Sequence, residues 1–391
     1  AQTRERLLDS GREEGSMKPS SDSEWLPEVY VFVPYTTRGS RIESPEYDTP
    51  SYRAEVKSWF DALNLAWRWV PITPKNLNRT IEKIQDRQQA RDCVVFNLCD
   101  GDEIHGYPGP SVVRGLEQAG LPFTGASSAF FDATTFKVPM KERFLKHGVP
   151  TPPFARIRKI PQDIDRLAAE IGYPLMIKPE VSAASVGISL RSLVHDAPSA
   201  IAQLSRLIQG EWGQKTLAAG IFAEHFVDGP EFTMLIVADR NHPQGVRAYP
   251  AVERIFHSAL PPHERFLSYG RYWSEYKEEA RLPAGEPFYR YSLAAPCLQE
   301  KLVDVSTRAF LAVSGTGYAR VDVRMEERTG ELFVLEVNSN CGLSGDRETS
   351  DKETAVGEIL HLAHSTIHQL IAAILEDAFD RFQSNGLPVE R

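Results

Sequence analysis

Residues 317–337 constrain what this chain can fold into more tightly than any other stretch. Residues 317–325 alternate like a strand, 326–330 form a polar turn ending in Thr-Gly, and 331–337 alternate again. Two antiparallel strands follow from that pattern. Side chains repeat every second residue along a strand, so Arg320, Asp322 and Arg324 share one face, and Glu336 and Asn338 share one face of the partner. An isolated Arg-x-Asp reads as a charged surface hairpin. Here Leu332, Phe333, Val334, Leu335 and Val337 make the second strand apolar, which puts Glu336 in or beside a core, where an uncompensated carboxylate is expensive. Hard oxygen donors on neighbouring strands suit magnesium, which completes its shell with water and substrate phosphates. The pattern therefore predicts a nucleotide site.

The chain is 391 residues long and 42% hydrophobic, enough for a substantial core and two or three domains. It contains no apolar run of bilayer length and no charged-then-apolar leader, so residence in the cytoplasm is expected. A net charge of −9 without a basic stripe argues against nucleic-acid binding. Cys93, Cys99, Cys297 and Cys341 lack the spacing of zinc sites or the density of a disulfide scaffold, and read as reduced thiols.

Residues 1–24 are polar, charged and poor in large apolar side chains, and are expected to be disordered. From residue 29 strands and helices alternate: strands at 29–34, 68–72 and 93–98, helices at 54–65, 77–88 and 111–118. Repeated strand-helix units imply a doubly wound parallel sheet covered on both faces. A short strand near Phe123 should end that sheet, and a helix after Ala133 leads to the proline-rich link 148–153. Strands at 155–158 and 175–178 with helices at 163–171 and 197–208 predict a small α+β unit. A longer mixed sheet, a helix at 297–314, the hairpin and terminal helices reaching 382 complete the chain. The expected divisions are 25–125, a connecting segment 126–153, then 154–215 and 216–385.

Several segments carry chemistry. Lys178 closes an apolar strand, and the small-residue loop 181–187 follows it, with Ser185 and Gly187 allowing backbone N–H groups close to phosphate oxygens. No Walker lysine is present, so this is not a P-loop. Residues 223–227 end a strand that turns through Asp228-Gly229-Pro230 and resumes at Glu231-Phe232-Thr233.

Taken in order, Gly120-Leu121-Pro122-Phe123-Thr124-Gly125, Lys178-Pro179, Ser185-Val186-Gly187, the run from Glu224 to Thr233, Arg320-Val321-Asp322 and Glu336-Val337-Asn338 to Gly342 resemble the ATP-grasp carboxylate-amine ligases, most closely the D-alanine–D-alanine ligase branch. The likeness spans residues 95–375. It implies an ATP-grasp fold, with a substrate domain before two subdomains that sandwich ATP. By resemblance, Asp322, Glu336 and Asn338 bind Mg2+, with Mn2+ as an alternative. Lys137, Lys178 and Lys277 reach phosphates. Glu224 and the backbone of His225, Phe226 and Val227 read adenine, and Glu231 accepts the ribose hydroxyls. Arg320 and the N–H of Gly342 stabilise the acyl phosphate and the tetrahedral intermediate. The stretch 266–281 is the expected lid. The resemblance also implies small-molecule substrates and a homodimer.

The likeness stops on the substrate side. The D-alanine ligases carry a glutamate in a Gly-rich motif just after their first strand, where this chain has residues 34–41, including Arg38 and Arg41. Their histidine-glycine loop is replaced by residues 99–106, with Asp100, Asp102 and Glu103. Their small residues after the catalytic glycine give way to Ser344-Gly345-Asp346-Arg347. An amide-forming ligase with other substrates is therefore expected, with Asp100 and Asp102 facing an amine and Arg347 a carboxylate. The rival readings are an ATP-grasp ligase with a non-amine nucleophile and a non-catalytic ATP-binding protein.

Overall fold

The computed structural model describes residues 27–38, 41–87, 93–159, 162–182, 185–210, 213–272, 279, 282–283, 286–345 and 354–385. The tail 1–24, Lys277 and Arg347 lie outside them. Among the described residues no helix is long and apolar enough to cross a membrane.

Three sheets succeed one another. The first is parallel, with Glu28–Pro34 between Trp67–Ile72 and Cys93–Asn97. Its central strand is hydrophobic on both faces because both are covered. Tyr30 and Phe32 turn toward the helices Leu77–Arg87 and Pro110–Ala119, whose Ile81, Ile84, Val112 and Leu116 are buried. Val29, Val31 and Val33 face Trp59 and Phe60 of the helix Pro50–Ala62 and Leu370, Ile371 and Ile374 of the C-terminal helix Ile367–Asn385. The last helix of the chain thus helps to cover its first sheet.

The helix Pro50–Ala62 begins four residues before the expected start. Thr49 caps it by accepting from the Tyr52 N–H, and Pro50 supplies a pre-set φ at the first position. A small hairpin, Thr36–Arg38 with Arg41–Glu43, stands between the first strand and this helix. Phe123 makes an isolated parallel bridge to Val95 rather than a strand. The single helix expected after Ala133 is two helices, Ser128–Thr135 and Lys137–Lys146, broken at Phe136, whose backbone is extended.

The second sheet has the order Phe154–Ile157, Ile221–His225, Leu175–Pro179, Leu193–Val194. Its second strand comes from beyond residue 215, so the chain leaves this sheet only after His225 and not at the boundary expected from sequence. Ile177, Val194, Ile221 and Ala223 pack against Leu167 and Leu204 of the helices Gln162–Glu170 and Ala197–Gln209.

The third sheet is antiparallel throughout rather than mixed. It runs Tyr289–Leu293, Val252–Phe256, Glu231–Ala238, Tyr318–Met325, Leu332–Ser339, with Val246–Ala248 also paired to the third of these. Phe232, Met234, Ile236, Ala319 and Val321 bury one face against Leu302, Val305 and Phe310 of the helix Pro296–Ala312. Glu231, Thr233, Arg320, Asp322 and Arg324 alternate to the other face. All five meet in the site described below.

The segment that follows Phe123 meets the third sheet where Gly317 enters its strand. Its φ of 65° is left-handed, its carbonyl accepts from the Ala238 N–H at 2.6 Å, and an added Cβ would lie 2.3 Å from the backbone of Gly125. Gly317→Ala combines a left-handed penalty with overpacking against rigid backbone, about 2–4 kcal/mol together. Urea unfolding should show a lower midpoint with an unchanged slope. A midpoint equal to wild type would refute the close approach.

Candidate active site

In the hairpin Asp322 stands opposite Glu336 and Arg320 opposite Asn338. A bulge follows between Asp322 and Val323, where Leu335 is the extra residue of the partner strand. That insertion lets Val334 and Val337 both reach the core while Glu336 and Asn338 face the site. The Asn338 Nδ2 donates to Asp322 Oδ2 at 3.0 Å and to Glu336 Oε1 at 3.2 Å. Arg320 grips Asp322 through two bonds of 3.1 Å, and Thr233 Oγ1 donates to it at 2.7 Å. Burial opposes the Asp322 charge, but Arg320, reinforced by Arg254, outweighs it and holds the carboxyl below the usual range. Two carboxylates and an amide in mutual contact are a fitting donor set for a hard divalent cation. The amide needs only to present Oδ1 in place of Nδ2.

A cleft adjoins this face, roughly 770 Å³ counting the part open to solvent. All three segments beyond the first sheet line it. The helix Lys137–Lys146 gives Lys137 and Lys141, and the second sheet with its loop gives Met176, Lys178, Ser185, Phe222 and Glu224. The third sheet gives Glu231, Asp322, Arg324 and Glu336.

Lys137 is the first residue of its helix and its Nζ sits 3.0 Å from the Ser182 carbonyl and 3.6 Å from Glu336 Oε2. Pro139 falls within the first turn, where its missing N–H costs nothing, so it leaves the direction of Lys137 undisturbed. Lys178 and Lys141 both bond the buried Glu224, Lys141 at 2.9 Å and also to Thr151 Oγ1 at 2.9 Å. Burial would raise the Glu224 pKa. The two ammonium groups overcome that and bring it down to about 2. Burial also lowers the Lys141 pKa, against the pull of Glu224.

Behind the loop after Lys178, Gly187 has φ 80° and packs where an added Cβ would meet the Pro179 ring at 2.8 Å. Ser185, also left-handed at φ 61°, faces the cleft.

His225, Phe226 and Val227 line the cleft, and two of their N–H groups are spent. His225 donates to the Pro153 carbonyl at 2.8 Å and Phe226 to that of Pro174 at 3.0 Å. The Val227 carbonyl accepts from Arg324 at 2.9 Å. Glu231 departs further from expectation. It is buried, and its two oxygens are taken by Arg254 and by Arg324, the latter at 3.1 Å. A ribose would meet a carboxylate already neutralised by two guanidiniums. Arg254 donates to Tyr291 OH and lies over the Tyr289 and Tyr291 rings, and Arg324 lies over Phe226. Burial lowers Arg324 to about 10, still charged at neutral pH.

Of the expected lid, Phe266 to Tyr272 and Glu279 are described. Phe266 is buried against Phe226, ring centroids 6.0 Å apart, and the Tyr269 N–H donates to the Ile188 carbonyl at 2.9 Å. Glu279 accepts from Ser268 Oγ at 2.6 Å. This segment therefore bridges the second and third sheets across the cleft.

On the substrate side the structure separates the three acids. Asp102 is turned inward on its own loop, accepting from the His105 N–H at 2.9 Å and contacting its Nδ1 at 2.7 Å, so it does not face a substrate. Glu103 accepts from the Ser111 N–H at 2.6 Å, at the start of the helix Pro110–Ala119. Asp100 is exposed to solvent, and desolvation by the protein around its carboxyl shifts its pKa upward. Its charge reaches Tyr47, Tyr52, Tyr318 and Cys341. An acid that sequence reading missed is also here. Glu55, on the helix after the inserted hairpin, bonds Ser344 and Gly345 in the loop beyond Asn338.

This architecture, with a cleft between two sheets and an acid-amide cluster at its end, is that of an ATP-dependent carbon–nitrogen ligase of the ATP-grasp fold. Residues 144–350 match the family model described as D-ala D-ala ligase C-terminus. The chain belongs to that family. It is 31% identical over 316 residues to uncharacterized protein y4sG of Sinorhizobium fredii, covering 80% of this chain and 83% of that protein. It is 26% identical over 266 residues to the D-alanine–D-alanine ligase of Pseudomonas fluorescens, covering 68% and 69%. The solved D-alanine–D-alanine ligase from Bacillus anthracis complexed with ATP superposes with a TM-score of 0.61 over 92% of this chain and 100% of that one, at 18% identity. At that identity the superposition speaks for the fold.

The Glu224 pair yields a pH prediction. Its pKa in the fold, about 2, lies below the ordinary 4.5, so between those values the unfolded chain binds more protons and stability rises with pH. The contribution is complete above the ordinary value and vanishes toward pH 2, on the order of 3 kcal/mol. Desolvation of Lys141 offsets part of it. Urea midpoints measured from pH 6 to pH 3 should fall in wild type and flatten in Glu224→Gln, which is also less stable at pH 7. Equal pH slopes in the two proteins would exclude the pairing.

Proposed function

We propose that this chain forms an amide bond between the carboxylate of an amino acid or small peptide and an amine, at the expense of ATP, through an acyl phosphate. The observation that supports it most is the contact of Asp322, Glu336 and Asn338 beside a cleft lined by Lys137, Lys141, Lys178 and Arg324. Asp322, Glu336 and Asn338 would hold Mg2+, or Mn2+, and a bound ion supplies charge neutralisation at the transferring phosphoryl group. Lys137 and Lys178 hold phosphate oxygens, and Ser185 and Gly187 shape the loop above them. Phe226 and Val227 seat the base beside Glu224. Glu231 serves by fixing Arg254 and Arg324 around it.

In the first step a substrate carboxylate oxygen attacks the γ-phosphorus and the bond to the β,γ-bridging oxygen breaks, releasing ADP. Then the amine nitrogen attacks the acyl carbon, its proton is lost, and the carbon–oxygen bond to phosphate breaks. Arg320 and the Gly342 N–H face the oxygen that gains charge in this second step. A preorganised donor there is worth about 3–4 kcal/mol. Phe266 and the segment after it keep water from the intermediate.

Asp100 is the substrate-side acid with no hydrogen-bond or ion-pair partner among the described side chains, and it is well suited to an ammonium group. A D-alanine pair is disfavoured because the residues around Asp100 and after Gly342 depart from that branch. A pairwise amino-acid screen, read by phosphate release and product mass, tests the activity.

With any active pair, Asp322→Asn and Glu336→Gln should lower kcat at least 1000-fold, about 4 kcal/mol or more, and Arg320→Ala comparably. Asp100→Asn should instead raise KM for the amine-bearing substrate and leave KM for ATP within twofold. Loss of ATP affinity in Asp100→Asn would undo this division of the site.

A further inference from the structure

The loop after the metal-binding strand is fastened at both ends by segments far away in the chain. At its start Asn340 adopts a left-handed φ of 49°, and its Oδ1 accepts from the Ala126 N–H at 2.8 Å. At its far end the helix Pro50–Ala62 holds it. Tyr52 and Glu55 lie three residues apart and so share one face of that helix. Tyr52 OH donates to the Leu343 carbonyl at 2.9 Å. Glu55 Oε2 accepts from Ser344 Oγ at 2.8 Å, and Oε1 accepts from the Gly345 N–H at 2.6 Å. Thr354 Oγ1 donates to the Ser344 carbonyl at 3.0 Å. Gly345 is pressed so closely to the C-terminal helix that an added Cβ would lie 2.7 Å from Ile367 Cβ.

Gly342 sits in the middle of this span. We propose that Glu55 is a positioning residue for acyl transfer, fixing the Gly342 N–H by holding the loop three residues further on. The proposal rests on the ligase reading, in which that N–H faces the acyl group. Two facts give it content beyond general stability. Bonds from a carboxylate to a backbone N–H and a hydroxyl are charge-assisted, short and directional, which is what fixing a loop requires. And the nucleotide cleft is lined by no residue of the helix Pro50–Ala62 and none of residues 340–345, so loosening this contact leaves ATP binding intact. A displacement of about 1 Å in a catalytic group costs on the order of 100-fold in rate. The first sheet thereby contributes to catalysis through the helix that covers it, as well as through Asp100.

The test uses the full chain with Glu55→Ala, Glu55→Gln and Tyr52→Phe. Hydrogen exchange of the 340–345 segment, affinity for AMP-PNP with Mg2+, and kcat and KM for ATP from ADP release with amino-acid mixtures are measured on each. In Glu55→Ala, exchange of the loop amides should rise at least tenfold and kcat fall at least tenfold, with KM for ATP and AMP-PNP affinity within twofold of wild type. Glu55→Gln, whose carbonyl still accepts one bond, should be intermediate in both readouts, and Tyr52→Phe milder still. Unchanged loop exchange in Glu55→Ala, or a loosened loop with undiminished kcat, overturns the proposal. So does a parallel loss of AMP-PNP affinity and of protection throughout the chain, which marks a purely structural role. If Glu55→Ala fails to fold, the same criteria are applied to the Gln and Phe variants. Wild-type protein that neither binds AMP-PNP nor releases ADP would overturn the ligase reading, and the proposal with it.

Discussion

Two carboxylates, Asp322 and Glu336, face each other across a pair of strands, and the arrangement of the site follows from the need to hold them there. Like charges directly opposite on a sheet repel. Here the repulsion is met on each side: Arg320 and Thr233 take up Asp322, Asn338 bridges the two acids, and Lys137 approaches Glu336. Each compensating group comes from a different element. The third sheet, its bulge and the helix Lys137–Lys146 must therefore be in register before the acids can coexist. The bulge at Leu335 is the device that reconciles this cluster with a core on the opposite face, because it gives two apolar residues to the core without breaking the polar series.

The same electrostatic logic recurs through the cleft. Glu224 carries two lysines and Glu231 two guanidiniums, so each buried carboxylate leaves one positive charge over. The chain as a whole has a net charge of −9. Over the cleft lining, Lys137, Lys141, Lys178 and Arg324 match Glu224, Glu231, Asp322 and Glu336 in number, so the cations are fixed in place without a net surplus. Each buried carboxylate also fixes where its cations sit, which keeps Lys178 and Arg324 from relaxing outward into solvent. Specific geometry is thus supplied by these pairs.

How much of this could be read in the chain depends on how far apart the interacting residues are. The hairpin register, the helix Lys137–Lys146 and the strand ending at Lys178 are local patterns of period two or 3.6, and the structure contains all three. Lys141 was legible in principle, since it lies four residues after Lys137 on one helical face. Arg254, Arg324 and Thr233 were not assigned to the cleft, because their partners lie 23, 93 and 89 residues away across the third sheet. The sharing of Glu231 by two guanidiniums is a property of strand order, and strand order is invisible to periodicity. Glu55 was hidden differently. A window just after the first strand contains only the inserted hairpin, and the acid stands one element further on.

The two sides of the site differ in how they are built. Around the nucleotide, side chains project from strands and are locked by buried pairs, so a change in one residue strands the charge of its partner. Around Asp100 the site is made from loops at the carboxyl ends of parallel strands, where ligands gather in open sheets and where residues can change without disturbing a ladder. Asp100 itself illustrates the consequence. It follows the strand Cys93–Asn97 and is exposed to solvent, so its replacement disturbs no ladder.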